Sequence, residues 1–115
     1  MKILHILIVE DEALIAMDLQ QIIEDIVTAT FVTEATVAAT KKALHQDLDF
    51  AFLDVDVTNG KTFEIAHLLE RKHVPYAFVS ASRQDQLPLE LRGAAFISKP
   101  FFAAQIEHAL EAVAG

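Results

Sequence analysis

Five side chains stand at the ends of apolar runs, and their chemistry is complementary. Ile3–Val9 (ILHILIV) leads into Glu10 and Asp11, FAFL into Asp54, YAFV into Ser80, and AAFIS into Lys99 followed by Pro100. Three carboxylates in one cleft would repel one another, and their desolvation is costly unless a cation sits among them. A hard divalent cation, Mg2+ (or Mn2+), suits them because it takes oxygen ligands, keeps waters and shares phosphate oxygens. Zinc is disfavoured: cysteine is absent, and His5, His45, His67, His73 and His108 are scattered without ligand spacing. Beside such a cation, the Asp54 carboxylate can attack a phosphoryl group to form an aspartyl-phosphate. The Lys99 ammonium and the Ser80 hydroxyl are then further clamps on the transferring oxygens. Taken singly, the acid pair could cap a helix, Asp54 could open an Asx-turn, and Ser80 could be a turn hydroxyl. Only their joint placement points to a site.

Those residues converge only if the runs are neighbouring strands. Ile3–Val9 is almost continuously apolar, as in a strand buried on both faces of a parallel sheet. Ala13–Ile26 carries Ile15, Leu19, Ile22, Ile23 and Ile26 on one helical stripe. Ala29–Thr33 reads as an outer strand and Thr36–His45 as a short helix. Phe50–Asp54 is a second buried strand, with turn residues Thr58-Asn59-Gly60 after it and a helix over Thr62–Lys72. Tyr76–Ser80 and Ala94–Ser98 are further strands, and Pro88 should shorten or break any helix between them. A last helix runs over Ala103–Ala114. Five strands alternating with about five helices predict a doubly wound α/β sheet. With strand order 2-1-3-4-5, strands one and three meet at the switch point, where such sheets bind ligands.

Composition narrows the function classes. The 115 residues hold 9 Lys+Arg against 17 Asp+Glu, a net charge of −8, with 53% hydrophobic and 23% charged residues. That balance is too apolar for a disordered chain, and the negative charge opposes direct nucleic-acid binding. No run approaches the ~20 apolar residues of a membrane span, so no membrane insertion is expected. The acidic Glu10-Asp11-Glu12 ends the only signal-like stretch, and the reading is cytoplasmic. The length predicts one domain over residues 1–115, with no output domain attached.

The ordered set Glu10-Asp11 (IVEDE), Asp54 (FLDVD), Ser80 (FVSAS) and Lys99-Pro100 (ISKPF) resembles the receiver domain of two-component response regulators, which has a flavodoxin-like fold. The resemblance covers Lys2 to about Val113. It implies a stand-alone phosphorylatable switch rather than an enzyme, with at most self-phosphorylation and autodephosphorylation. Asp54 accepts a phosphoryl group from a histidine kinase or histidine phosphotransfer protein. Asp11 and Asp54 hold the metal, Glu10 assists through water, and the backbone carbonyl of Asp56 adds a ligand. Ser80 senses the phosphoryl group, Lys99 pairs with it, and the Lys99–Pro100 peptide is cis. The resemblance also implies a changed surface around the fourth helix, fifth strand and fifth helix, which binds a downstream protein target or forms a weak dimer of an otherwise monomeric chain.

Three features depart from the family pattern. Phe96 stands where an aromatic switch residue, often Tyr, is usual, so a switch there is steric. The loop after Asp54 (VDVTNG) lacks the frequent proline. Asp56 and Ser82 occupy the two positions that tune dephosphorylation in relatives.

Three other readings compete. Asp54-Val55-Asp56-Val57-Thr58 matches the DxDxT pattern of haloacid-dehalogenase-type phosphatases, but adjacent acids after Lys99 are missing. A flavodoxin-like cofactor binder would need a Ser, Thr and Gly loop where Glu10-Asp11-Glu12 stands. A pseudo-receiver would bind partners without phosphorylation.

Overall fold

Alternation along the first strand sets up two cores. A computed structural model describes residues 2–113. Strand β1 (Leu4–Val9) sends Ile6 and Ile8 to one face of the sheet and Leu7 and Val9 to the other, all four buried. Successive strand side chains point to opposite faces, so a strand covered on both sides must be apolar throughout. Strand β3 (Phe50–Leu53) follows the same rule, with Phe50 and Phe52 on one side and Ala51 and Leu53 on the other.

Helix α1 (Ala13–Ile26) buries Ala16, Leu19 and Ile23 against the Ile6–Ile8 face. Of the expected stripe, Leu19 and Ile23 are buried and Ile15, Ile22 and Ile26 only half-buried; Ala16 joins the buried set, and Leu14 and Met17 are exposed. Among the described residues strand β2 (Ala29–Glu34) pairs only with β1 and is an edge. Helix α2 (Val37–Ala43) is shorter than predicted. Thr36 caps it, its side chain accepting from the Ala39 amide at 3.1 Å, and the Lys72 ammonium donates to the Leu44 carbonyl beyond its end.

After β3 the chain forms a two-stranded antiparallel hairpin, β4 (Asp56–Val57) with β5 (Gly60–Lys61), where the sequence predicts only a turn. Asn59 takes a left-handed φ of 75° and Gly60 a φ of 144°, the conformations that Asn and Gly tolerate best. Helix α3 (Phe63–Arg71) buries Ile65, Ala66 and Leu69 on the Leu7–Val9 face, and strand β6 (Tyr76–Ser80) follows.

The expected fourth helix is not an α-helix. Residues 81–94 carry two short 3₁₀ turns, Gln84–Gln86 and Leu89–Leu91, on either side of Pro88. Proline has no amide hydrogen to donate, so a continuous i→i−4 ladder cannot run through this segment. Leu87 and Leu91 are still fully buried, and Arg92 donates to the carbonyls of Leu87 and Asp85, both at 2.9 Å.

Strand β7 (Ala95–Ser98) and helix α4 (Ala103–Leu110) complete the chain. The helix ends at Leu110, before the predicted Ala114, which lies outside the described residues. The five long strands are parallel in the order β2-β1-β3-β6-β7, the predicted 2-1-3-4-5 arrangement once the small hairpin is set aside. His5, the one exposed residue of β1, stands at the strand's N-terminal end, where its Nδ1 meets Thr30 Oγ1 at 2.5 Å. Among the described residues no helix is long and apolar enough to cross a membrane.

Candidate functional site

The carboxyl ends of β1, β3, β6 and β7 open onto one cleft, and backbone bonds fix their alignment. The Asp54 amide donates to the Val9 carbonyl at 2.9 Å, and the Lys99 amide to the Ser80 carbonyl at 3.0 Å. The side chains that end these strands are thereby forced together. Carboxylate oxygens of Glu10, Asp11 and Asp54 all lie within 4.8 Å of one another, with Glu10 and Asp54 buried and Asp11 exposed. At that spacing and an effective dielectric of about 20, the Glu10–Asp54 repulsion is on the order of 3–4 kcal/mol.

Lys99 is the counter-charge on the described chain. Its ammonium donates to Glu10 Oε1 at 2.5 Å and to Asp54 Oδ2 at 2.9 Å. Burial lifts the Glu10 carboxyl above its ordinary value, and the bonds from Lys99 and the Glu12 amide only partly offset this. Burial alone would lower the Lys99 ammonium; the Glu10 and Asp54 carboxylates outweigh it and raise the group instead. The Glu12 amide donates to Glu10 Oε2 at 3.1 Å, a bond to the residue before α1 rather than a cap on an amide of its first turn.

The remaining predicted residues make contacts of their own around the strand ends. Ser80 is buried, and its Oγ accepts from the Ser82 amide at 3.1 Å. Asp56 lies on the hairpin with its side chain exposed, and among the described residues it is outside the carboxylate cluster. The Lys61 ammonium binds Asp56 Oδ1, Ser82 Oγ donates to Oδ2 at 3.0 Å, and Lys61 holds the Asp56 carboxyl below its usual range. Phe96 is half-buried, its ring 6.4 Å from that of Phe78. The Lys99–Pro100 peptide is cis, as the resemblance implies.

Two threonines escape sequence reasoning. Thr62 is fully buried and its hydroxyl donates to the Asp54 carbonyl at 2.6 Å, tying the strand end to the start of α3. Thr58 donates to Asp11 Oδ2 at 3.3 Å from the hairpin turn. Thr58 appears in the sequence only as a turn residue and in the DxDxT match, and Thr62 in no motif; both contacts are recognisable only once the chain has folded back.

Residues 6–111 match the family described as response regulator receiver domain. The chain belongs to that family. Receiver domains are signalling domains that bind Mg2+ at an acidic pocket, and Glu10, Asp11 and Asp54 form an acidic cluster in this chain. Among solved receivers, SdrG from Sphingomonas melonis Fr1 is 34% identical with a TM-score of 0.81, covering 97% of this chain and 98% of that one. A BeF3-activated conformation of SdrG matches with a TM-score of 0.77, 34% identity and 98% of both chains. The sensory transduction protein LytT of Enterococcus faecalis is 32% identical over 114 residues, covering 94% of this chain and 47% of its own length. The chain thus spans about half the length of the curated relatives it matches. The phosphatase reading has no support here: the family is a different one, and the Asp56 carboxylate faces Lys61 and Ser82.

Proposed function

We propose that Asp54 accepts a phosphoryl group from the phosphohistidine of a histidine kinase or histidine phosphotransfer protein. The observation that carries this reading is the gathering of Glu10, Asp11 and Asp54 within 4.8 Å, with the Lys99 ammonium on two of them. An Asp54 carboxylate oxygen forms the new bond to phosphorus, while the phosphorus–nitrogen bond to the donor imidazole breaks and its electron pair stays on nitrogen. Glu10, Asp11 and Asp54 would hold Mg2+ or Mn2+, with the Asp56 carbonyl as a further ligand. That cation would offset the charge on the transferring oxygens.

Lys99 orients Asp54 before transfer and then pairs with the added charge. The Ser80 hydroxyl, at the end of the strand between those bearing Asp54 and Lys99, donates to a phosphoryl oxygen. The group brings about −1.5 to −2 charges and biases two conformations of the loop after Ser80. Phe96, half-buried against Phe78, responds by sterics, since it has no hydroxyl to offer. The readout surface comprises residues 81–94, β7 and α4, and a downstream protein is its partner. The phosphodonor class assigns the reaction to the cytoplasm.

Beryllofluoride with Mg2+ tests the reading, since it mimics a phosphoryl group on a carboxylate. Amide NMR signals of Asp54, Ser80–Ser82 and Phe96–Lys99 are expected to move in the wild type and not in Asp54→Asn. Equal shifts in both proteins would contradict the assignment. Silence in both would favour a receiver that binds its partners without phosphorylation.

A further inference from the structure

Both carboxylate oxygens of Asp56 are engaged, and the partners form a chain that ends in the cleft. The Lys61 ammonium holds Oδ1 across the hairpin, and Ser82 Oγ donates to Oδ2 at 3.0 Å from the loop after β6. The Ser82 amide in turn donates to Ser80 Oγ at 3.1 Å. The hairpin that anchors this chain is itself fixed at other points. Thr58 binds Asp11 Oδ2 and bridges to Thr36 at the start of α2, and Thr62 anchors the far side on the Asp54 carbonyl. The hairpin is therefore a frame, and Asp56 is its one side-chain link to the β6 loop among the described residues.

We propose that Lys61 is a positioning residue for phosphoryl acceptance: through Asp56 and Ser82 it fixes where the Ser80 hydroxyl stands. This rests on the phosphoacceptor reading of Asp54. A carboxylate at the end of a free side chain would sample many rotamers. Clamped by Lys61, it presents Oδ2 to Ser82 in one orientation, and the Ser82 backbone then has one place from which to reach Ser80. The link is solvent-exposed, with Lys61 and Asp56 side chains 56% and 53% accessible, so its effect is modest.

The test compares Lys61→Ala, Lys61→Arg and Asp56→Ala with the wild-type chain by two readouts. One is the solvent-exchange rate of the Ser82 amide, followed by NMR without metal or phosphodonor. The other is the rate of phosphorylation by acetyl phosphate with Mg2+. Lys61→Ala should speed Ser82 exchange and slow phosphorylation, each by about two- to fivefold, and Lys61→Arg should restore both. Asp56→Ala removes a negative charge from the site, so charge repulsion alone predicts faster phosphorylation, whereas the brace predicts slower. Ser82 exchange unmoved in Lys61→Ala, an unchanged phosphorylation rate, or a faster Asp56→Ala overturns the proposal while leaving the role of Asp54 intact. A wild-type chain that takes no phosphoryl group overturns the phosphoacceptor reading, and with it the part assigned to Lys61 in that reaction.

Discussion

Lys99 answers two buried carboxylates at once, and its removal exposes what the site costs. In Lys99→Ala, Glu10 and Asp54, which are 5% and 9% exposed in the wild type, lose their shared donor. Taking the charged donor from such groups costs about 1–3 kcal/mol, which urea unfolding in the absence of divalent cation should register. Saturating Mg2+ should return much of that loss, because it supplies the positive charge the lysine no longer provides. A variant as stable as wild type without metal, or one that Mg2+ leaves unchanged, would contradict this account. The sign of the alkaline limb follows from the same contacts. Lys99 is raised above 10.5, so its contribution is complete below that pH and is lost as pH climbs past the folded-state value. Stability of the wild type should therefore fall more steeply above that range than stability of Lys99→Met.

At the scale of elements, the segment 81–94 does by anchoring what its neighbours do by helix formation. Leu87 and Leu91 are 1% and 0% exposed although the turns holding them are three residues long. Leu91→Ala should cost about 2–5 kcal/mol, the usual range for a buried leucine, whereas the exposed Leu89→Ala should be near neutral. Equal effects of the two, read by chemical denaturation, would show that the segment is loosely packed. Arg92→Ala, which frees the Leu87 and Asp85 carbonyls, should raise amide exchange across 84–92 without disturbing β7.

These elements also mark where the sequence is readable. β1, β3 and β6 declare themselves because a strand buried on two faces reads as a nearly continuous apolar run, and α1 because its stripe recurs at helical spacing. Glu10, Asp11, Asp54, Ser80 and Lys99 are visible because each ends such a run. The hairpin is not: two-residue strands have no periodicity, and Thr58-Asn59-Gly60 announces only a turn. Leu87 and Leu91 have the i, i+4 spacing of a helix, and Pro88 between them decides against it. Thr62 and Lys61 join the site through folded contacts alone, which no local pattern encodes.

The whole molecule carries a net charge of −8, with three of its carboxylates crowded together at the carboxyl end of a sheet that separates two apolar cores. The proposed chemistry moves one phosphoryl group from an external donor onto one carboxylate of that cluster. A cation bound only by the folded chain stabilises it, by about 2.7 kcal/mol at a hundredfold excess over its Kd. Excess Mg2+ should therefore raise the thermal midpoint, and Asp11→Asn should blunt the rise; an identical rise in the variant would remove Asp11 from the ligand set. The most direct measurement is intact mass followed by peptide mapping after acetyl phosphate treatment, with and without a chelator, in wild type and Asp54→Asn. The account predicts a gain of one phosphoryl group, located on Asp54, lost with the chelator and absent from the variant. A phosphoryl group that persists in Asp54→Asn, or that maps to another residue in the wild type, would contradict it.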